Sequence, residues 1–142
     1  MAGYSGTPLP IKLGIKPGHR VLLDAVPDTI ALAPLPAGVT VHSRAGHTSR
    51  VGRPGAEPYD VIIACTPDLA TLHRRYGPLK DRMRANGALW ICWPKRSSGV
   101  STDLSENAIR DHALANGLVD VKVCAVDRTW SGLKLVYRLV DR

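Results

Sequence analysis

The chain has 142 residues, of which 44% are hydrophobic and 22% charged, a balance that suits one globular domain with a real core. No apolar run approaches the ~18 residues of a membrane-spanning helix, and the opening MAGYSGTPLPIKLG lacks the basic-then-apolar layout of a secretory leader, so a cytoplasmic protein without membrane contact is expected. The formal net charge of +7 is concentrated in residues 61–100, which carry seven Lys/Arg against two Asp/Glu.

Residues 1–19 are rich in Gly, Pro and Ser around a short apolar piece, LPIKLGI. They read as an N-terminal arm with one helical turn, closed by a turn at Lys16-Pro17-Gly18. Strand-like runs follow at 20–26 (RVLLDAV), 39–43 (VTVHS), 59–66 (YDVIIACT), 87–93 (GALWICW), 119–126 (VDVKVCAV) and 133–140 (LKLVYRLV). VIIAC and ALWIC are apolar at every position, which suits strands covered on both faces. The proline-rich PDTIALAPLPAG has room for only a short helix, and residues 44–58 read as a loop.

Helical spacing appears at Leu69, Leu72, Tyr76, Leu79 and Met83. Gly77-Pro78 predicts a kink or two short helices there, with Asn86-Gly87 as the C-terminal cap. A later helix is expected to start near Thr102 or Asp103, since Asp103 and Glu106 have capping-box spacing. It ends at Asn116-Gly117, with Leu104, Ala108, Ile109, His112 and Ala113 inward. The alternation predicts a single α/β domain over 1–142, a Rossmann-like, mostly parallel sheet ending in an antiparallel hairpin through DRTWSG.

Cys65, Cys92 and Cys124 each lie inside an apolar strand-like run, without a CxxC, and read as reduced core thiols. His19, His42, His47, His73 and His112 show no metal-ligand spacing, so no metal is expected. GYSG at 3–6 has Thr7 where a nucleophile elbow needs glycine, and no strand precedes it. The basic stretch HRR…KDRMR more often marks a solvated helix face than a nucleic-acid site. At 5% aromatic content and without Phe, the chain has little for a base-stacking platform.

The expected sheet resembles the methyltransferase variant of the Rossmann-like fold. LGIKPGHRVLLDAV resembles the approach to the first strand of class I S-adenosylmethionine-dependent methyltransferases, YDVIIACTPD their fourth strand, and LKDRMRANGALWICWPK their next helix, turn and fifth strand. GYSGTPLPIKLGIKPG, WPKRSSGVSTDL and GLVDVKVCAVDRTWSGL, spanning residues 3 to 133, resemble more closely a family of short bacterial proteins without an established function. These resemblances imply a methyltransferase-like fold and assign no catalytic residue. The chain departs from the methyltransferase pattern in two places. After the first strand it has LLDAVPDT where that family has a glycine-rich turn. After the second it has Ser43 and Arg44 where that family has an acid for the ribose hydroxyls. Arg44 suits a phosphate instead, but a G-x-G-x-x-G turn is also missing, which argues against a whole dinucleotide.

The segment WPKRSSGVSTDL carries the candidate site. In open α/β sheets ligands sit beyond the carboxyl ends of the strands. Lys95 and Arg96 offer charge there, Ser97, Ser98 and Thr102 hydroxyls, and Gly99 close backbone approach. Asp24 and Thr66, at the ends of the first and fourth strands of the methyltransferase pattern, complete the expected crevice, while Asp68 is expected to cap the following helix. Trp130, at the hairpin tip, covers either the core edge or a ligand pocket. The leading expectation is a non-catalytic protein binding an anionic or polar small molecule, or a partner protein, at these strand ends. The alternatives are an S-adenosylmethionine-dependent methyltransferase with an altered pocket, and weak nucleic-acid binding through basic residues 73–96. The resident cofactor is left open.

Overall fold

Six strands form one sheet in the computed structural model, which describes residues 6–44 and 56–142. The N-terminal arm turns through α1 (Leu9–Lys12), then β1 (Arg20–Asp24), β2 (Thr40–Arg44) and β3 (Tyr59–Cys65) follow. Next come α2 (Leu69–Lys80), β4 (Met83–Pro94), α3 (Glu106–Ala115), β5 (Leu118–Ala125) and β6 (Trp130–Tyr137). The spatial order is β2-β1-β3-β4-β6-β5. β2, β1, β3 and β4 run parallel, while β6 is antiparallel to both β4 and β5. This is the expected mostly parallel sheet ending in an antiparallel hairpin. No described helix is long and apolar enough to cross a membrane.

The period-two alternation of the central strands builds two cores. Ile62, Ala64, Leu89 and Ile91 face α2 and α3, meeting Leu72, Leu79, Ile109 and Ala113. Val61, Ile63, Trp90 and Cys92 face the other way, toward Leu13, Ile15 and Ile30 of the arm and the segment after β1. The arm is pinned by the Trp90 indole N–H, which donates to the Leu13 carbonyl at 3.0 Å. Trp90 and Leu89 are fully buried, and burial of such a side chain stabilises by about 1.5–3 kcal/mol.

The helix ends differ from expectation in instructive ways. Asp68 caps α2 as expected, accepting from the Thr71 amide at 2.8 Å. α2 runs unbroken through Pro78, at the loss of the amide that would reach the Arg74 carbonyl. Asn86-Gly87 is no helix cap but part of β4. A Cβ at Gly87 would lie 2.7 Å from the Asp60 carbonyl oxygen, so the glycine permits close strand contact beside the β3–β4 register shift. α3 starts at Glu106 with Ser105 as its cap, accepting from the Ala108 amide. Asp103 instead caps the neighbouring α2, accepting from the Leu69 amide at 2.7 Å. The segment between β1 and β2 forms no helix, which Pro27, Pro34 and Pro36 discourage. The loop expected at 44–58 falls largely outside the described residues, as does GYSG except Gly6.

α2 and α3 meet through a ring stack. His73 and His112 lie face to face with centroids 4.6 Å apart, and Tyr76 meets His112 edge-on at 4.8 Å. Burial, then the neighbouring His73, holds the His112 imidazole below its ordinary 6.5. A base with a depressed folded-state pKa contributes stability above its unfolded value and loses it as pH falls through the folded value. Thermal midpoints are therefore expected to fall between roughly pH 7.5 and 5.5, with a shallower fall in His112→Gln. Equal slopes for the two proteins would exclude this origin.

Candidate functional site

The ends of β1, β2, β3 and β4 share one rim, and the β5–β6 hairpin tip lies on it too. Pro94 pairs with Trp130, and the Lys95 amide donates to the Thr129 carbonyl at 2.7 Å. The cationic turn after β4 is therefore on the same rim as Asp24 and Thr66, as the sequence reading requires.

Asp24 does not open into a crevice. It ends β1 at 1% exposure, on the face covered by α2. Arg75 of α2 grips it with two bonds, Nε to Oδ2 at 2.8 Å and Nη2 to Oδ1 at 2.7 Å. Arg44, at the end of β2, adds an ion pair to Oδ1 at 3.3 Å. Burial pushes the Asp24 carboxyl above its ordinary range, against the pull of Arg75 and Arg44. The forked, bidentate geometry is the strong form of a guanidinium–carboxylate contact. Arg44 is thus turned inward onto a carboxylate and not offered to a phosphate. Ala25, next in the chain, takes the left-handed φ of +56° that glycine usually supplies, and its amide donates to the Arg44 carbonyl at 2.9 Å. Among the described residues, this cluster ties the ends of β1 and β2 together.

Thr66 is buried and committed to the sheet: its amide donates to the Cys92 carbonyl at 2.8 Å and its hydroxyl reaches the Ala64 carbonyl at 3.4 Å. Thr102 donates to the Pro67 carbonyl at 2.6 Å and accepts from the Leu104 amide. Arg96-Ser97-Ser98 forms a single 3-10 turn closed by Gly99 at φ +78°. Within it the Ser98 hydroxyl donates to the Lys95 carbonyl. Lys95 and Arg96 form no ion pair with a described carboxylate. Arg96, Gly99 and Thr102 line a cleft of about 360 Å³ with Trp93, Leu104 and Glu106. The structure therefore brings part of the cationic turn to a cleft that Asp24 and Thr66 do not line.

A second cleft, of about 350 Å³, opens on the same rim across the sheet, beneath the arm. Leu9, Lys12, Thr29, Ala33, Val126 and Asp127 contribute to its lining. Lys12 Nζ donates to the Ala125 carbonyl at 2.9 Å. Asp127 is fixed by the Thr129 and Trp130 amides, which donate to its Oδ1 at 2.8 and 2.7 Å. Trp130 packs on the arm-side core. The sequence reading did not mark this cleft, because it depends on where the arm lies.

The three thiols share a row on the arm side. Cys65 pairs in register with Cys92, and Gly132 pairs with both Cys92 and Cys124. All three are free. A hydrogen bond with Cys65, then burial, holds the Cys92 thiol well above its ordinary range. No cluster of three metal-ligating side chains occurs among the described residues.

Part of the basic stretch 73–96 is taken up within the fold, while Arg74 and Arg96 are exposed. Arg75 is buried on Asp24, Arg82 is buried with its guanidinium 5.1 Å over the Tyr59 ring, and Arg84 pairs with Asp60. The expected exposure of this helix missed Arg75, although Leu72, Arg75, Tyr76 and Leu79 share one side by helical spacing.

No family model and no curated protein matches the sequence, so the likeness to short bacterial proteins stands on the quoted strings. Solved structures do share the fold. Magnesium protoporphyrin IX methyltransferase from Synechocystis, with bound S-adenosylmethionine, has 14% identity and a TM-score of 0.59, over 92% of this chain and 74% of that one. An rRNA methylase from Streptococcus thermophilus has 11% identity and a TM-score of 0.55, over 95% and 99%. TrmN from Thermus thermophilus has 14% identity and a TM-score of 0.59, over 92% of this chain but only 47% of its own length. At such identities the likeness establishes the methyltransferase-type fold. It also corrects the leading expectation: a fold shared with methyltransferases favours the methyltransferase alternative over a non-catalytic binder of an anionic ligand or partner protein.

Replacing Asp24 by Asn leaves two buried guanidinium groups without their carboxylate. Loss of one partner of such a pair costs about 3–5 kcal/mol, so a large drop in the urea midpoint is expected for Asp24→Asn. A change under about 1 kcal/mol, the level of a surface pair, would contradict a closed, buried cluster.

Proposed function

We propose that this chain is an S-adenosylmethionine-dependent methyltransferase whose cofactor sits in an altered pocket, the cleft beneath the N-terminal arm. The observation that carries the reading is the pairing of a closed β1–β2 end with an open cleft beside it. Asp24, Arg75 and Arg44 are tied together at the ends of β1 and β2, where the methyltransferase pattern has its glycine-rich turn and its acid. The neighbouring cleft, at about 350 Å³, falls in the range of about 300–1,000 Å³ typical of small-molecule sites.

The residues of that cleft suit the cofactor's parts. Leu9, Ala31, Ala33 and Val126 offer apolar contact for a nucleoside ring and methylene chain. Thr29 offers a hydroxyl. Asp127, oriented by two backbone amides, offers a carboxylate and Lys12 an ammonium to the zwitterionic end of the cofactor. S-adenosylmethionine would supply an electrophilic methyl group on a sulfonium; transfer to the acceptor would break the methyl–sulfur bond, leaving a neutral thioether, and release the acceptor's proton. The protein's share is to orient that methyl group at the rim and exclude water beneath the arm. Buried, free Cys65 and Cys92 fit a reducing, cytoplasmic setting.

Calorimetric titration with S-adenosylmethionine tests the reading. Saturable binding within the ~1 μM to 1 mM range usual for enzyme substrates is expected, together with loss of binding in Ala31→Trp, which fills the cleft, at an unchanged thermal midpoint. Absence of binding up to that limit, or undiminished binding by folded Ala31→Trp, would refute it.

A further inference from the structure

A different cleft, of about 380 Å³, opens on the opposite rim at the amino ends of β1 and β3. Val61, Ala88 and Val136 supply an apolar floor; Lys16, His19, Lys134 and Arg142 surround it. Lys134 of β6 lies directly across from Lys122 of β5, and like charges placed opposite each other on paired strands repel. Lys122 Nζ reaches the Lys12 carbonyl at 3.4 Å, and Arg142 Nε reaches the Tyr137 carbonyl at 2.9 Å.

The carboxylate that lines the cleft, Asp60, already has partners of its own. Among the described residues Lys12, Lys16, Lys122, Lys134 and Arg142 form no ion pair; the bridges belong to Arg20, Arg44, Arg75, Arg84 and Arg110. Asp60, which also lines the cleft, accepts from Arg84 Nε at 2.9 Å and the Arg20 amide at 2.8 Å. Burial, then Lys122, Lys16 and Arg142, holds the Lys134 ammonium below its ordinary range. The fold therefore concentrates repulsion at one cleft, and a multiply charged anion would relieve it.

We infer that this amino-end cleft binds phosphate groups, carried either by a nucleotide or by an RNA backbone. Several cations around one small volume suit an anion with more than one charge and several acceptor oxygens, and the apolar floor accommodates the organic part. The site is a different cleft from the proposed cofactor cleft and does not depend on it.

The test is calorimetry with inorganic phosphate, ATP and a short single-stranded RNA. It uses the full chain, the double variant Lys16→Ala/Lys134→Met, and Arg74→Ala on α2 as a control. At least one probe is expected to bind, about tenfold or more weaker in the double variant, with Arg74→Ala unchanged. In phosphate-free buffer the double variant should melt at or above the parent midpoint, because repulsion is removed. ATP binding without RNA binding assigns the site to a small phosphate ligand. RNA binding whose log–log salt slope shrinks by about 1–2 in the double variant assigns it to a backbone. Failure of all probes to bind, binding that survives the double variant or is lost in Arg74→Ala, or a lowered midpoint of the double variant would overturn the inference.

Discussion

The rim of this protein is organised around one buried carboxylate. Asp24 closes β1, and Arg75 reaches from α2 to hold it with two short bonds. Arg44 approaches from the neighbouring strand. Three elements distant in sequence are thereby tied at one point. The arrangement exists because an isolated carboxylate at 1% exposure would be too costly to bury without fixed positive partners.

That contact decides what the rest of the rim can do. A crevice between the ends of β1 and β2 needs backbone free to approach a ligand and an acidic side chain to hold it. Here Ala25 supplies the left-handed turn without glycine, and the strand that should end in an acid ends in Arg44, turned onto Asp24. Space remains on the arm side, where Trp90 holds Leu13 and the arm roofs a cleft against the hairpin tip. A methyltransferase-type sheet is retained, and under the proposed function the ligand is held on its other face.

The sheet was legible because both-face burial of VIIAC and ALWIC leaves a direct mark in composition, and the order of runs limits the topology. Asp68 and Asn116-Gly117 were legible because caps act over three or four residues. Pro78 and Gly87 misled, since proline near a helix end and glycine in a strand look locally like breakers. Arg75 was hidden by charge: it occupies the buried side of α2, yet its type argues for the surface until its partner, 51 residues away, is known. The opposed Lys122 and Lys134 depend on the hairpin register and its irregularity at Asp120/Lys122, which one sequence does not specify. The candidate turn after Trp93 was found at the right rim, but its hydroxyls are largely committed to the turns that shape it.

The account rests on a closed β1–β2 end and a displaced cofactor position. Amide chemical-shift mapping during titration with S-adenosylmethionine addresses both at once. Perturbations should centre on Leu9, Thr29, Ala33 and Val126, with Ala25 and the Asp24–Arg75 contact undisturbed. Shifts centred on Ala25 and Arg44, with Arg75 released from Asp24, would contradict the account.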